Sequence, residues 1–385
     1  MEHYLRPGTL QLGAPPPLSL YVHLPWCLRK CPYCDFNSHA AGDELPEQAY
    51  ISQLLADLDQ DLSLLGTVPD LLSIFMGGGT PSLMSPATIN AVLTGIAERF
   101  GRLPAEITME ANPGTVDESR FSGFLEAGVT RLSLGIQSFS DPQLTALGRI
   151  HTGEAAERAY GAARKAGCRN INLDLMHGLP GQRLEGALTD LRQAISLGPE
   201  HLSWYQLTIE PNTAFYSAPP VLPEEDDLWS IYEAGMALLA ESGYERYEVS
   251  AFSRKDHQCL HNLNYWQFGD YLGIGAGAHG KLTLRDGLIR TSKTRLPKDY
   301  LVSPNRKVQT VAKEDLVLEY LMNSLRMTQG FTMEDFVART GLQATDLDVF
   351  IKQGVGRQLL RQQDDRVKPT DQGLQFLNEL LMLVD

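Results

Sequence analysis

Up to residue 210 the chain alternates between two hydrophobic patterns. Six short runs, at 20–24, 71–76, 106–110, 131–136, 170–176 and 202–209, are rich in β-branched or other apolar residues. Each ends at a polar, glycine or proline turn, which predicts strands. Stretches at 47–65, 86–100, 116–127, 153–166, 184–197 and 226–242 read instead as amphipathic helices. Strict strand-then-helix alternation implies parallel strands with covering helices. Six such units fall short of the eight that close a complete barrel. The expected fold class is therefore α/β, as an open, partial (β/α)6 barrel.

Downstream the pattern loosens. Residues 244–296 carry one strand-like piece, 245–249, and a glycine-rich segment, 269–280. From 311 the chain changes to short helical stretches at 314–327, 333–340 and 344–353, a strand at 367–370 and a closing helix at 371–384. These predict a small, separate, α-rich domain of winged-helix type, although its acid-rich composition does not suit DNA. No internal repeat beyond the βα units is visible, and only Pro15–Pro17 reads as low-complexity sequence.

Composition narrows the function. With 385 residues and a formal net charge of −14, the chain has room for two domains and lacks the basic excess that phosphate neutralisation demands. A nucleic-acid partner is therefore not expected. The opening MEHYLRPGTL has no apolar core of a signal peptide, and no apolar run approaches the ~18 residues that cross a bilayer. The expected location is the cytoplasm, with peripheral contact at an inner membrane left open.

Five cysteines are present, and three of them, Cys27, Cys31 and Cys34, fall within eight residues directly after the first strand. Their Cys-x3-Cys-x2-Cys spacing lets three thiolates on one loop bind three corners of a 4Fe–4S cube. No fourth cysteine follows at a suitable spacing, so one iron stays open, and S-adenosylmethionine (SAM) can fill it through its amino and carboxylate groups. The competing reading is a zinc site completed by His23 or His39. Cys168 and Cys259 read as small buried apolar residues.

The segment Tyr21-Val-His-Leu-Pro-Trp-Cys27-Leu-Arg-Lys-Cys31-Pro-Tyr33-Cys34 resembles the radical SAM superfamily. Further motifs resemble its coproporphyrinogen-dehydrogenase-like branch: Gly77-Gly78-Gly79-Thr80-Pro81, Glu110-Ala-Asn-Pro113, Gly135-Ile-Gln137-Ser-Phe139, Asp174-Leu-Met-His-Gly-Leu-Pro180 and Gly273-Ile-Gly-Ala-Gly277. The resemblance runs from about residue 19 to 280, and all but the last motif close a predicted strand, where barrel enzymes build their sites. It implies a radical SAM barrel in residues 1–300, including a haem-binding-type segment at 244–296, and a HemN-type domain in 308–385. It assigns SAM to Gly78, Gly79, Thr80, Glu110, Gln137, Arg149 and Asp174, with Tyr21 and Tyr33 flanking the cluster loop. The chemistry agrees: glycine amides can receive the amino-acid part of SAM, Arg149 its carboxylate, and Glu110, Gln137 and Asp174 its amino and hydroxyl groups.

Two subfamilies of different class compete. Oxygen-independent coproporphyrinogen III dehydrogenases decarboxylate propionate side chains, and their pattern resembles Cys-x3-Cys-x2-Cys-x-Cys; here the last position is Phe36. Haem chaperones of the HemW-like group resemble the chain at His261-Asn-Leu-Asn-Tyr265-Trp266. His is the commonest axial haem ligand and aromatic rings stack on porphyrin, so haem is expected at His261, Tyr265 and Trp266, with His257 and Cys259 as neighbouring donors. The chaperone reading implies three cofactors, the 4Fe–4S cluster, SAM and haem, and respiratory haemoproteins, some of them membrane-associated, as recipients.

Overall fold

The computed structural model describes residues 15–284 and 287–384. Residues 1–14 of the expected first domain therefore lie outside the described residues. Twelve strands make one sheet: β1 (Leu18–Leu24), β2 (Leu71–Gly78), β3 (Glu106–Ala111), β4 (Arg131–Gln137), β5 (Ile171–His177), β6 (His201–Gln206), β7 (Glu245–Glu248), β8 (Ala251–Ser253), β9 (Asp270–Ile274), β10 (His279–Leu284), β11 (Gly287–Lys293) and β12 (Arg306–Thr310). Their spatial order is β12-β11-β10-β9-β1-β2-β3-β4-β5-β6-β8-β7, with β12 and β7 at its two ends. The barrel is open, as expected.

All six predicted strands form, and they run parallel. Their covering helices are α1 (Glu47–Leu62), α2 (Pro86–Phe100), α3 (Glu118–Glu126), α4 (Gly153–Lys165), α5 (Leu184–Leu197) and α6 (Glu225–Glu241). Local chemistry sets their ends. In α2, Pro86 occupies the first turn, Ser85 Oγ accepts from the Thr88 amide at 3.2 Å, and Gly101 at φ 78° stops the helix. In β4, Leu132, Leu134 and Ile136 are fully buried in the main core, while Ser133, Gly135 and Gln137 line the barrel interior.

The glycine-rich segment differs from expectation. It supplies β9, a seventh parallel strand beside β1, with Leu20 opposite Leu272. Gly273 is required there, since a Cβ would lie 1.9 Å from the His279 carbonyl oxygen. Its Gly273–Gly277 motif thus also closes a parallel strand. Hairpin strands β10, β11 and β12 extend the sheet antiparallel to Thr310, so the second domain's expected start at 308 falls within the sheet's last strand.

The C-terminal domain packs α8 (Leu316–Ser324), α9 (Met333–Thr340) and α10 (Asp348–Gly356) against an antiparallel wing of Phe331–Thr332, Arg366–Pro369 and Leu360–Gln363. The closing helix is split into Asp371–Gln375 and Leu377–Leu381, because Phe376 leaves helical geometry at ψ 43°. Phe268 and Leu288 from the barrel side enter this domain's core. Arg326 pins the seam: it pairs with buried Glu248 at 3.1 Å and stacks over Trp266 at 4.3 Å. Among the described residues, no helix is long and apolar enough to cross a membrane.

A buried ionic knot ties α1 to the added strands. Lys293 on β11 meets Asp57 and Asp61 of α1, all three side chains fully buried, and Arg306 reaches Asp61 at 2.9 Å. Tyr300 and the Gly275 amide donate to Asp57 at 2.8 and 3.1 Å. Removing the ammonium leaves buried Asp57 with no cation among the described residues and Asp61 with Arg306 alone. Lys293→Met is therefore expected to cost about 3 kcal/mol or more, read as a lower denaturant midpoint; an unchanged midpoint would contradict this account.

Candidate functional site

The cluster loop leaves β1 and closes on itself. Trp26–Cys27 pairs with His39–Ala40, the His39 amide donates to the Pro25 carbonyl at 2.7 Å, and the Ala41 amide to that of Cys27 at 2.8 Å. Within it, the Cys34 amide donates to the Cys31 carbonyl at 3.1 Å. Asn37 fastens the loop to the far side of the sheet, its Nδ2 donating to the carbonyls of Ala276 and Arg295 at 2.9 and 2.8 Å. Tyr21 acts from beneath: its hydroxyl meets His23 Nδ1 at 2.8 Å, and His23 Nε2 meets the Asn37 carbonyl at 3.0 Å. Burial lowers the His23 pKa to about 4. Both His23 nitrogens are engaged, and His39 bonds Asn37 rather than lining the cavity. Neither histidine is placed to complete a zinc site with the three thiols.

Cys27, Cys31 and Cys34 are all free and open into one cavity of about 360 Å³. Thr80 Oγ1 donates to Cys27 at 3.5 Å, Ser38 Oγ contacts Cys34 at 3.6 Å, and Arg149 Nη1 donates to Cys31 at 3.6 Å. Burial pushes the Cys27 and Cys34 thiols up, so a soft metal must displace their protons on binding. The donor set, three half-buried thiols on one loop with no fourth, suits an iron–sulfur cube with one open corner.

The walls carry the rest. Arg149 donates to the Gly135 carbonyl at 2.7 Å, and its buried Nε has no partner among the described residues. Burial opposes its charge, yet the neighbouring Tyr33 and Cys31 outweigh it and hold the guanidinium protonated. Opposite lie Glu110 and Asp174. Burial first, then the nearby Asp174, push Glu110 up to about 7, against the Gly78 amide that donates to it at 3.2 Å. Burial also raises Asp174, despite bonds from Ser133 and Asn172 at 2.9 and 2.8 Å. Gln137 sits at φ 70°, an uncommon geometry for a side-chain-bearing residue, and accepts from Tyr205 at 2.7 Å. A cation on one side and two carboxylates on the other complement an amino-acid zwitterion bearing hydroxyls.

Gly78, Gly79, Thr80, Tyr33 and the other expected SAM residues line this cavity, apart from Tyr21. One expectation fails: the glycine-motif amides are already used. The Gly79 and Thr80 amides donate to the Leu24 and Trp26 carbonyls at 2.8 and 2.7 Å, so the motif locks the cluster loop. Gly78 lies at φ 107°, and a Cβ there would meet the His23 ring at 2.3 Å.

Sequence reasoning missed Ser133, Ser203 and Tyr205, which also line the cavity. Parallel strands covered on both faces read as continuous apolar runs, so polar residues at every second position mark an interior-facing side. Ser133-x-Gly-x-Gln137 and Asn172-x-Asp174 carry that signal.

His261, Tyr265 and Trp266 share the short helix α7 (Leu260–Trp266). This helix plugs the N-terminal end of the barrel: Asn264 bonds Ser19 at the start of β1, and the Leu260 and His261 amides bond Glu106 at the start of β3. The three residues then part ways. His261 is buried against Cys259 Sγ at 2.8 Å and Glu106 at 3.5 Å, with its ring on Phe75. Burial opposes its charge, but Cys259 and Glu106 outweigh it and raise its pKa to about 9. Tyr265 packs edge-on against Tyr271. Trp266 alone of the three lines the cavity.

A radical SAM superfamily profile matches residues 21–194, and a HemN C-terminal domain profile matches residues 311–376. The solved coproporphyrinogen III oxidase (HemN) of Escherichia coli, a radical SAM enzyme, superposes with a TM-score of 0.79 at 22% identity, over 96% of this chain and 90% of that one; the fold is shared. The haem chaperone HemW of Escherichia coli is 50% identical over 371 residues, 96% of this chain and 98% of the relative. That of Haemophilus influenzae is 50% identical over 374 residues, again 96% and 98%. Agreement of this depth over nearly the full length of both chains means that the protein belongs to the HemW haem-chaperone family of the radical SAM superfamily.

Proposed function

We propose that the chain is a haem chaperone that holds a 4Fe–4S cluster on Cys27, Cys31 and Cys34, binds SAM beside it, and takes up haem for delivery to respiratory haemoproteins. The observation that carries this reading is the single cavity where three free thiols, unpartnered Arg149 Nε and the Glu110–Asp174 pair meet. When bound, the cluster offers an open iron to the amino and carboxylate groups of SAM and an electron for its sulfonium.

The chain's own residues do the rest. Arg149 pairs with the SAM carboxylate, while Glu110, Gln137 and Asp174 take its amino group and hydroxyls. Gly78, Gly79 and Thr80 hold the loop close, Tyr33 covers the site and Tyr21 steadies the loop through His23. Haem is read by His261, Tyr265 and Trp266, with His261 turning from Cys259 and Glu106 toward the iron. The cytoplasm, with peripheral contact at an inner membrane, suits this role. Phe36, 62% exposed at the cavity lip, stands where the dehydrogenase pattern has a cysteine and favours the chaperone over the enzyme.

Three thiolates bind a cube cooperatively. Anaerobically purified protein is therefore expected to be brown and iron-containing, with Cys27→Ala, Cys31→Ala or Cys34→Ala each losing most of its iron. Stoichiometric zinc without iron, even after reconstitution, refutes the cluster.

For SAM, Arg149→Ala and Asp174→Ala should each weaken binding at least tenfold in equilibrium dialysis without altering the cluster absorbance. Glu110 accepts from the amino group of SAM most strongly as a carboxylate, a form that dominates above its pKa of about 7. SAM affinity should consequently rise between pH 6 and 8 and flatten in Glu110→Gln. Unchanged affinity in both alanine variants means that the pocket is misassigned.

For haem, the wild type should bind it, and His261→Ala should bind more weakly with an altered Soret band, His257→Ala serving as control. Reconstituted protein with a reductant should not turn coproporphyrinogen into protoporphyrinogen. Steady formation of that product restores the dehydrogenase reading.

A further inference from the structure

A second group of metal-type donors sits at the opposite end of the barrel from the cysteine loop. Glu106 opens β3, whereas Glu110, near the end of the same strand, lines the cluster cavity. Cys259 immediately precedes α7, and His261 lies in its first turn. Their donor atoms converge: Cys259 Sγ is 2.8 Å from His261 Nδ1, that nitrogen is 3.5 Å from Glu106 Oε1, and the sulfur is 3.6 Å from the same oxygen. All three residues are buried. Among the described residues, no other three cysteine, histidine or carboxylate donors lie within 4.8 Å of one another.

The spacing suits a tetrahedral ion. Bonds of about 2.0–2.3 Å put nitrogen, oxygen and sulfur donors roughly 3.3–3.6 Å apart. Two of the three edges already match. The third is short because sulfur and imidazole share a proton there, and an ion in the proton's place pushes them apart. Contacts that a metal does not use hold the donors in position. The Leu260 and His261 amides donate to Glu106 at 3.0 and 3.1 Å, the His261 ring lies on Phe75, and the Cys259 amide donates to the Tyr247 hydroxyl at 3.4 Å. Outer contacts of this kind orient metal ligands. Arg131 faces Glu106 but forms no ion pair with it among the described residues; it donates to the Asn170 side chain and the His257 carbonyl at 2.9 and 3.3 Å.

We propose that Glu106, Cys259 and His261 form a second metal site, for one zinc ion, and that zinc and haem exclude each other at His261. A mixed sulfur, nitrogen and oxygen set suits zinc and not the hard ions calcium and magnesium, which take oxygen alone. As the metal enters, the Cys259 thiol and the His261 nitrogen facing it give up their protons to solvent. The metal site stands on geometry alone; the exclusion rests on the haem reading above, which gives His261 to the iron. Haem uptake there requires the imidazole to turn away from Cys259 and Glu106. Zinc bound to all three prevents that turn, so the zinc-loaded chain refuses haem.

The test is equilibrium dialysis of the full chain, with its cluster reconstituted, against zinc, followed by metal analysis and zinc X-ray absorption on the same sample. Wild type is expected to retain one zinc beside its full complement of iron, with a single sulfur neighbour. Cys259→Ser and Glu106→Gln should each raise the zinc dissociation constant at least tenfold and keep their iron, which shows that they fold. Zinc should raise the melting temperature of wild type and not of the variants, a coupling that a merely structural role does not produce. Absence of bound zinc, zinc with three sulfur neighbours on an iron-stripped cluster loop, or wild-type affinity in both variants overturns the metal site and leaves the haem reading intact. In a Soret titration, zinc-loaded wild type should bind haem at least tenfold more weakly than zinc-free wild type; equal affinity overturns the exclusion. If the zinc-free chain ignores haem, the haem reading and the exclusion fall together, and the zinc measurements alone decide the metal site.

Discussion

Three thiols can receive one cluster only if the loop bearing them keeps its shape before any metal arrives, and that shape hangs on Asn37. The loop contributes little apolar burial of its own; Leu28 and Phe36 are exposed. Beyond its local pairing and the Gly79 and Thr80 amides, its order comes from a side-chain amide that donates to Ala276 and Arg295, 239 and 258 residues away, and from a backbone carbonyl held by His23. Those carbonyls belong to the segments that follow β9 and β11. Hence the seventh parallel strand and the antiparallel hairpins are part of the site's foundation. The Lys293–Asp57–Asp61 knot keeps that foundation against α1.

The cavity itself is electrostatically expensive. Glu110 and Asp174 lie close together on the cavity wall with limited access to water, and their raised pKa values record the cost of charging both. Arg149 carries its charge beside a thiol and a carbonyl, without a carboxylate. Ser133, Asn172 and Ser203 soften the cost at Asp174, and Asn172 passes the chain of bonds on to His201 and Tyr247. Such a site is built for a ligand bearing both signs of charge, because only that ligand relieves both walls at once.

Much of this was legible in the sequence, for local reasons. The helices at 86–100, 184–197 and 333–340 match to the residue because Gly101, Gly198 and Gly341 close them and Ser85 and Thr332 cap the first and last. The cluster loop was legible because its spacing is chemical. Strand β9 was not, since five residues interrupted by glycine give no period, and its partner β1 lies about 250 residues earlier. The split at Phe376 had no signal either, as the residues from 371 to 384 keep their apolar spacing across it. The burial of His261 was hidden because its partner Glu106 is 155 residues distant and looks, in sequence, like a strand-end charge.

The shared fold with a coproporphyrinogen oxidase means that the backbone alone does not separate enzyme from chaperone; the difference rests on particular side chains. His261 is the demanding case, since the nitrogens a haem iron needs face Cys259 and Glu106. Breaking a buried ion pair normally strands the remaining charge. Here part of the support is independent of the ring. Glu106 accepts from the Leu260 and His261 amides at 3.0 and 3.1 Å, and although burial opposes its charge, the His261 side chain first, then Arg131 and the Leu260 amide, hold its carboxyl below the ordinary range. The helix that plugs the barrel is thus fastened through its backbone amides as well as through its histidine, so turning the imidazole away does not by itself release the helix.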